Sequence, residues 1–261
     1  MNQVTKNNPS YLFIMGCPRS GTTAMGTFLA SHQSVVMGIE RFGHRIHPGD
    51  FSMTKDLFEP ERFKDIQSGD TFYDSFDFAP KAYEGMDKKF KKCEYVGDKI
   101  PMLYSSLPEF FEEFGKDAYV VFMLRNIFDV AASYVARKDD PNDNWSRDID
   151  QAINDWSLSI KAYNNSEYKD RILPVVYEDF FTSTDLPAKL LGKLGLKNGS
   201  EEVARAKNMV ARGEQLAALR PRNLSEADVL RISLRAPFGG YRALVENARA
   251  QWALLGSDPK G

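Results

Sequence analysis

The string Gly16-Cys-Pro-Arg-Ser-Gly-Thr-Thr23 brings together a fixed cation, Arg19, the hydroxyls of Ser20, Thr22 and Thr23, and two glycines, Gly16 and Gly21. The apolar run Tyr11 to Met15 leads straight into it, and a helical pattern leaves it from Thr22. A buried strand, a glycine loop and a helix start, in that order, aim unpaired backbone N–H groups and the positive end of a helix dipole at one point. The expected ligand of that point is a phosphate. Gly16 and Gly21 have the separation found in the G-x-x-x-x-G-K-[ST] loop, whose lysine reaches the β- and γ-phosphates of a nucleotide and whose hydroxyl holds magnesium. Here Thr22 stands at the lysine position and Arg19 supplies the cation from within the loop. The loop keeps the means of cradling a phosphate and lacks the usual means of holding Mg-ATP.

The elements that must position this loop follow from periodicity. Tyr11 to Met15 reads as the first strand, and Thr22 to Ser31 as a helix with Met25, Phe28 and Leu29 turned inward. Val35 to Met37 is a short apolar run ending at Gly38-Ile-Glu40, and Tyr95 to Lys99 is a short strand closed by Pro101, with a helix expected from Met102 to Phe114. Tyr119 to Leu124 has the continuous apolar character of a buried parallel strand, and a helix is expected from Val130 to Arg137. An amphipathic helix, Arg147 to Tyr163, carries Ile149, Ile153, Trp156 and Ile160 as a core stripe, and Arg171 to Val176 is another parallel strand. A helix starting at Asp185 runs to about Gly195, and Ser225 with Asp228 has the pattern of a capping box. This alternation predicts a three-layer α/β/α fold, with a central parallel sheet of four or five strands and helices on both faces. The expected organisation is one domain over residues 1–261, with an aromatic-rich insertion at about 42–92.

That insertion holds ten aromatic residues between Phe42 and Phe90, which fit either the wall of an acceptor site or a satellite core that keeps the segment folded. Its basic run, Lys88, Lys89, Lys91 and Lys92, reads as a solvated face. Lys138 to Ser146 has loop composition and suits a lid or an acceptor contact. With 261 residues, 43% of them hydrophobic, and a net charge of −2, the chain can bury a substantial core and lacks the bulk positive field of a nucleic-acid binder. Cys17 and Cys93 give no disulfide framework, and Cys17 is expected to pack rather than react. No apolar run approaches the roughly 20 residues that span a bilayer, so a soluble, cytoplasmic protein is expected.

The loop's Pro18-Arg-Ser-Gly-Thr-Thr23 resembles that of the sulfotransferases that use 3′-phosphoadenosine 5′-phosphosulfate (PAPS), which commonly reads P-[RK]-S-G-T-[TS] around the 5′-phosphosulfate. Arg125 to Ser133 resembles the same family's 3′-phosphate site, R-[ND]-P-x-[DE]-x-x-x-S, with Ile127 in place of its frequent proline. The resemblance makes Arg125 a guanidinium fork and Ser133 a hydroxyl for that phosphate. It also implies that Arg19, Ser20, Gly21, Thr22 and Thr23 hold the phosphosulfate, and that Tyr177, opening Tyr-Glu-Asp-Phe180, lies near the adenine. In the protein-tyrosine sulfotransferase branch the loop is followed by a helix, a His and then G-E-E, with the base on the second glutamate. This chain has His32, Gly38 and Glu40, and Ile39 replaces the first glutamate. Glu40 is then the expected base, and Lys99, before its proline turn, is expected with Arg19 to offset charge on the departing bisphosphate. His44 and His47 are rivals, since the small-molecule branch uses a histidine base. A C-terminal basic segment usually completes the 3′-phosphate site; the choice among Arg220, Arg222, Arg231, Arg235 and Arg242 is open, and Arg235 to Tyr241 suits a closing loop.

The implied function is in-line transfer of sulfonate from PAPS to a hydroxyl, phenol or amine, without a metal. A nucleotide phosphoryl transferase and a non-catalytic PAPS-binding protein are the alternatives. The acceptor is the expected partner, with neither nucleic acid nor a membrane span.

Overall fold

The computed structural model describes residues 9–47, 49–70, 85–144, 146–183, 185–197, 208 and 223–255. In chain order, β1 (Ser10–Gly16) leads through the glycine loop to α1 (Thr22–Ser31) and β2 (Val35–Ile39). The insertion contributes a small hairpin, β3 (Ile46–His47) with β4 (Asp50–Phe51), then α2 (Pro60–Lys64) and α3 (Met86–Phe90). After it come β5 (Tyr95–Lys99), α4 (Leu107–Phe114), β6 (Ala118–Leu124), α5 (Ile127–Lys138), α6 (Ile149–Asn165) and β7 (Ile172–Val176). The remaining helices are α7 (Tyr177–Phe180), α8 (Leu186–Lys193), α9 (Glu226–Arg235) and α10 (Phe238–Leu254).

The five long strands pair in parallel in the order β2-β5-β1-β6-β7, so β1 and its loop lie at the centre. Successive side chains of a strand point to opposite faces, and β1 shows both faces filled. Leu12 and Ile14 join one cluster with Met25, Phe28 and Leu29 of α1 and Leu190 of α8; Phe13 and Met15 join another with Phe110, Val130, Ile153 and Trp156. That is the three-layer arrangement the alternation predicts. β7 is an edge strand, which is where a sheet tolerates Pro174.

Several local expectations shift. The helix expected from Met102 begins instead at Leu107, after a 3₁₀ turn over Pro101–Ser106, because Pro108 has no N–H to donate and fits only a first turn. The helix expected from Val130 begins at Ile127, because the Asn126 side chain accepts the Phe128 N–H and caps it there. Arg235 to Tyr241 is no loop: α9 ends at Arg235, α10 starts at Phe238, and the Tyr241 ring packs 4.8 Å from Trp156. The insertion's Phe42, Phe58 and Phe63 belong to the main core, neither a separate cluster nor a site wall; Phe58 meets Phe13 of β1 edge-on at 5.2 Å. Phe72, Tyr73, Phe76, Phe78 and Tyr83 lie outside the described residues. Within the basic run, Lys89 departs from a solvated role, because its ammonium donates to the carbonyls of Ala30 and His32 at the end of α1 and of Val35 at the start of β2.

Candidate active site

The carboxyl ends of the parallel strands deliver the expected site residues to one end of the sheet: the loop after β1, Glu40 after β2, Lys99 of β5, Arg125 after β6 and Tyr177 after β7. Gly16 closes β1 where a Cβ would stand 2.6 Å from the Met123 carbonyl oxygen of β6, so only glycine allows the loop to turn there. Gly21 has φ 92°, and a Cβ on it would strike the Tyr177 ring at 2.4 Å. Ser20 is fully buried within the turn, its N–H donating to the Cys17 carbonyl at 3.0 Å. Thr22 and Thr23 open α1, whose leading N–H groups face the loop without intrahelical partners.

The second strand-loop-helix unit meets the first. Arg125 follows β6 and donates from its Nη1 to the Arg19 carbonyl at 3.0 Å, while its guanidinium lies over the Tyr177 ring, 4.2 Å from the centroid. Arg19 reaches in the opposite direction, its Nε donating to Ser133 Oγ on α5 at 2.9 Å. Trp156 of α6 donates its indole N–H to the Arg125 carbonyl at 2.9 Å, and Glu178 accepts the Asn126 N–H at 3.0 Å. Arg19, Gly21, Arg125, Ser133 and Tyr177 therefore form one contiguous cluster. Its chemistry fits a nucleotide phosphate: Ser20 Oγ and Arg125 Nε are buried without a hydrogen-bond partner among the described residues, two donors beside the exposed N–H groups of a helix start.

Beside this cluster opens a cleft of about 600 Å³, lined by Arg19, Thr22 and Thr23 on one side and by Glu40, His44, His47 and Lys99 on the other. Glu40 and Lys99 form an ion pair on that wall; Lys99 is 2% exposed and Glu40 48%, so the pair presents its carboxylate to the cleft. Gly26 of α1 makes room for the Lys99 stem, since a Cβ there would lie 3.3 Å from the Lys99 Cβ. Among the described residues the non-glycine positions with left-handed backbone are Arg19, at φ 72°, and Glu40, at φ 56°. Such positions cost on the order of 1–3 kcal/mol each and persist where the surroundings over-determine them.

His44 differs from Glu40. Both its ring nitrogens are buried, Nε2 lies 3.7 Å from Asp70 Oδ1, and burial, then Arg45, hold its pKa below the ordinary imidazole value. His47 is exposed on the cleft wall. Of the C-terminal arginines, Arg231 and Arg235 pair with Asp150, Arg242 is exposed, and Arg220 and Arg222 lie outside the described residues. The cleft also contains Arg137 and Arg147, anchored by Asp143 and Asp155, which the sequence reading missed because each lies in or beside a stretch whose pattern is explained by helix and loop. Asp98 was missed as well. Its position inside the strand Tyr95 to Lys99 was the available signal, since a carboxylate seldom lies fully buried in a strand. Burial pushes its pKa up to about 7, although the Phe42 and Arg41 N–H groups and Lys99 pull the other way.

The fold and the loop define a class, the three-layer α/β/α proteins of the P-loop type. Within it, the chain matches the sulfotransferase family over residues 9–196 and belongs to that family. It is a sulfotransferase, an enzyme that moves a sulfonate group. Among solved structures, the sulfotransferase domain from the Synechococcus PCC 7002 olefin synthase is 18% identical, with a TM-score of 0.49 over 77% of this chain and 78% of that one. Mouse sulfotransferase SULT7A1, complexed with PAP, is 14% identical with a TM-score of 0.48 over 78% of this chain and 65% of its own. A sulfotransferase from Alicyclobacillus acidocaldarius is 16% identical, with a TM-score of 0.46 over 84% and 98% of the two chains. No curated protein sequence matches the chain. Among the described residues no helix is long and apolar enough to cross a membrane.

Proposed function

We propose that this sulfotransferase takes its sulfonate from PAPS and passes it to a small hydroxyl, phenol or amine acceptor in the cleft, with Glu40 as the base. The observation that carries this is the double membership of Arg19: its side chain meets Ser133 in the phosphate cluster, and it also lines the cleft that holds Glu40 and Lys99. A residue shared by the donor and acceptor sites makes them adjoin, as in-line transfer requires.

PAPS, when bound, supplies an activated sulfonate on a bisphosphate leaving group. Arg125 and Ser133 would hold its 3′-phosphate, the hydroxyl of Ser20 with the N–H groups of Gly21 to Thr23 and the hydroxyls of Thr22 and Thr23 its phosphosulfate, and Tyr177 its adenine. Glu40 takes the acceptor's proton as the new bond to sulfur forms, and Lys99 and Arg19 offset the negative charge that collects on the leaving oxygen. Glu40 serves this role better than His44, because the His44 ring nitrogens are turned to the Asp70 side and buried, whereas the Glu40 carboxylate faces the cleft. The cleft's volume is that of a small-molecule site. A chain with only two cysteines, Cys17 and Cys93, suits a reducing, cytoplasmic setting.

Calorimetry with adenosine 3′,5′-bisphosphate and ADP, without metal, tests the donor site. Micromolar binding of the bisphosphate and little of ADP is expected; a preference for ADP, or a demand for Mg, would overturn PAPS as the donor and favour phosphoryl transfer. Release of bisphosphate from PAPS, followed over a panel of alcohols, phenols and amines, tests the reaction. If the bisphosphate bound but no acceptor in the panel released it from PAPS above the protein-free rate, the protein would be a non-catalytic binder.

A further inference from the structure

Glu40 occupies a left-handed backbone position, yet its own side chain does nothing to hold it there. The carboxylate is half-exposed, and among the described residues its one ion pair, to Lys99, is made at the tip. The restraint comes from either side. Glu40 N–H donates to the Lys99 carbonyl at 2.9 Å, and Phe42 N–H donates to Asp98 Oδ2 at 2.8 Å. Asp98 is itself wedged against β2: a Cβ on Gly38 would stand 2.7 Å from Asp98 Oδ1. On the other side Arg41 leaves the turn for the interior and is 0% exposed. Its Nη1 is ion-paired to Asp70 Oδ2 at 2.7 Å, its Nε donates to the Phe63 carbonyl at 3.2 Å, and its Nη2 donates to the Asp65 carbonyl at 2.8 Å. Arg62 grips the same Asp70 with two hydrogen bonds, at 2.9 and 2.8 Å, and the Gln67 N–H adds a third at 3.0 Å.

A buried arginine–aspartate pair is a poor source of stability, since desolvation of the two charges offsets their attraction, and a packed hydrophobic pair often does as well. What such a pair does supply is a fixed geometry. Arg41 directly follows Glu40, so drawing Arg41 inward leaves Glu40 directed to the cleft. Resting on the reading of Glu40 as the base, we propose that Asp98 and the Arg41–Asp70 pair are positioning residues, which clamp the turn after β2 in the left-handed conformation that sets the Glu40 carboxylate against Lys99. The insertion thereby acquires a task in the reaction, because Phe63, Asp65 and Asp70 all belong to it.

The test uses the full chain with adenosine 3′,5′-bisphosphate bound, in wild type, Asp70→Asn and Arg62→Gln. Asp70→Asn leaves Arg41 buried opposite an uncharged amide. Arg62→Gln is the milder variant, loosening Asp70 from its partly exposed side without stranding a charge. Hydrogen–deuterium exchange followed by mass spectrometry should show residues 38–45 exchanging at least tenfold faster in Asp70→Asn and severalfold faster in Arg62→Gln. Residues 10–23 and 118–133 should be unchanged, and the bisphosphate's Kd should stay within threefold. Unchanged exchange at 38–45, or loss of protection throughout the chain in both variants, overturns the clamp. Bisphosphate release from PAPS, to an added acceptor or to water, supplies the second readout: kcat should fall at least tenfold in Asp70→Asn with KM for PAPS within threefold. If Glu40→Gln abolishes that release and Asp70→Asn does not, the clamp fails and the base stands; if release survives Glu40→Gln, the assignment of the base fails.

Discussion

At the scale of single residues, the site rests on a few groups whose removal has separable effects. Arg125 offers a guanidinium to an anion and also ties down the Arg19 carbonyl. Arg125→Ala should therefore weaken adenosine 3′,5′-bisphosphate binding by about 2–4 kcal/mol, the scale of a lost charge-assisted fork. Calorimetry checks this, and unchanged affinity would remove Arg125 from the site. Glu40 faces the cleft and not the phosphate cluster, so Glu40→Gln should leave that affinity intact and slow turnover by about two to four orders of magnitude. Single-turnover release of bisphosphate from PAPS measures it, and turnover near wild type would move the base elsewhere, His47 being the next group on the cleft wall. Much of this was legible, because the loop's residues are contiguous and their chemistry is local. Arg19, Ser133 and Arg125 were each visible, but that Arg19 would reach across to Ser133 depends on how β1 and β6 stand side by side. Arg41 and Asp70 were not visible, since nothing in the neighbourhood of either residue marks a charge that will be buried against a partner 29 positions away.

At the scale of elements, the sheet's centre is held by glycines that admit no side chain, and they differ in what they touch. A Cβ on Gly97 would stand 1.8 Å from the Leu12 carbonyl oxygen, between two central strands that cannot part without breaking their ladder. Gly97→Ala should cost about 3 kcal/mol or more of stability, or prevent folding altogether, as measured by urea denaturation. A Cβ on Gly21 would meet the Tyr177 ring, a side chain at the sheet's edge that can swing aside. Gly21→Ala should cost only about 1–3 kcal/mol, mainly from its left-handed backbone, yet displace the ring from under Arg125 and weaken bisphosphate binding at least tenfold. Strands and helices were legible wherever burial on both faces wrote long apolar runs, and α1 has the expected bounds, Thr22–Ser31. Helix starts were less so. Pro108 and Asn126 moved two of them, each through one backbone N–H whose fate the hydrophobic period does not record. In the insertion the aromatics were conspicuous and their destination was not, because an irregular segment has no period to say which way its rings point.

At the scale of the whole molecule, the buried carboxylate of Asp98, which accepts the Phe42 N–H in the turn after β2, links stability to pH. Burial, more than any neighbour, raises the folded Asp98 pKa to about 7, whereas an unfolded aspartate titrates at ~3.9. Below about pH 4 the acid is protonated in both states and carries no penalty. As pH rises from there to about 7 the unfolded chain gives up this proton while the folded chain keeps it, so the unfolded state is favoured progressively. Above pH 7 both are ionised and the full penalty is in place. A shift of this size is worth roughly 2–4 kcal/mol. Asp98→Asn keeps the side-chain volume and an oxygen to accept the Phe42 N–H, and it abolishes the titration. Urea midpoints taken at pH 5 and pH 8 should therefore show wild type losing more stability over that interval than Asp98→Asn by about this amount. Equal losses in the two proteins would mean that Asp98 ionises freely in the folded state, so that the turn holding Glu40 is open to water. The sign of this link sets Asp98 against the other buried carboxylate of the clamp. Burial alone would raise Asp70 too, but Arg62, the Gln67 N–H and Arg41 outweigh it and hold its pKa at about 2, so its contribution is lost only as pH falls from about 4 toward 2. The turn is thus held by one carboxylate that stays charged throughout the neutral range and one that gains its charge near pH 7.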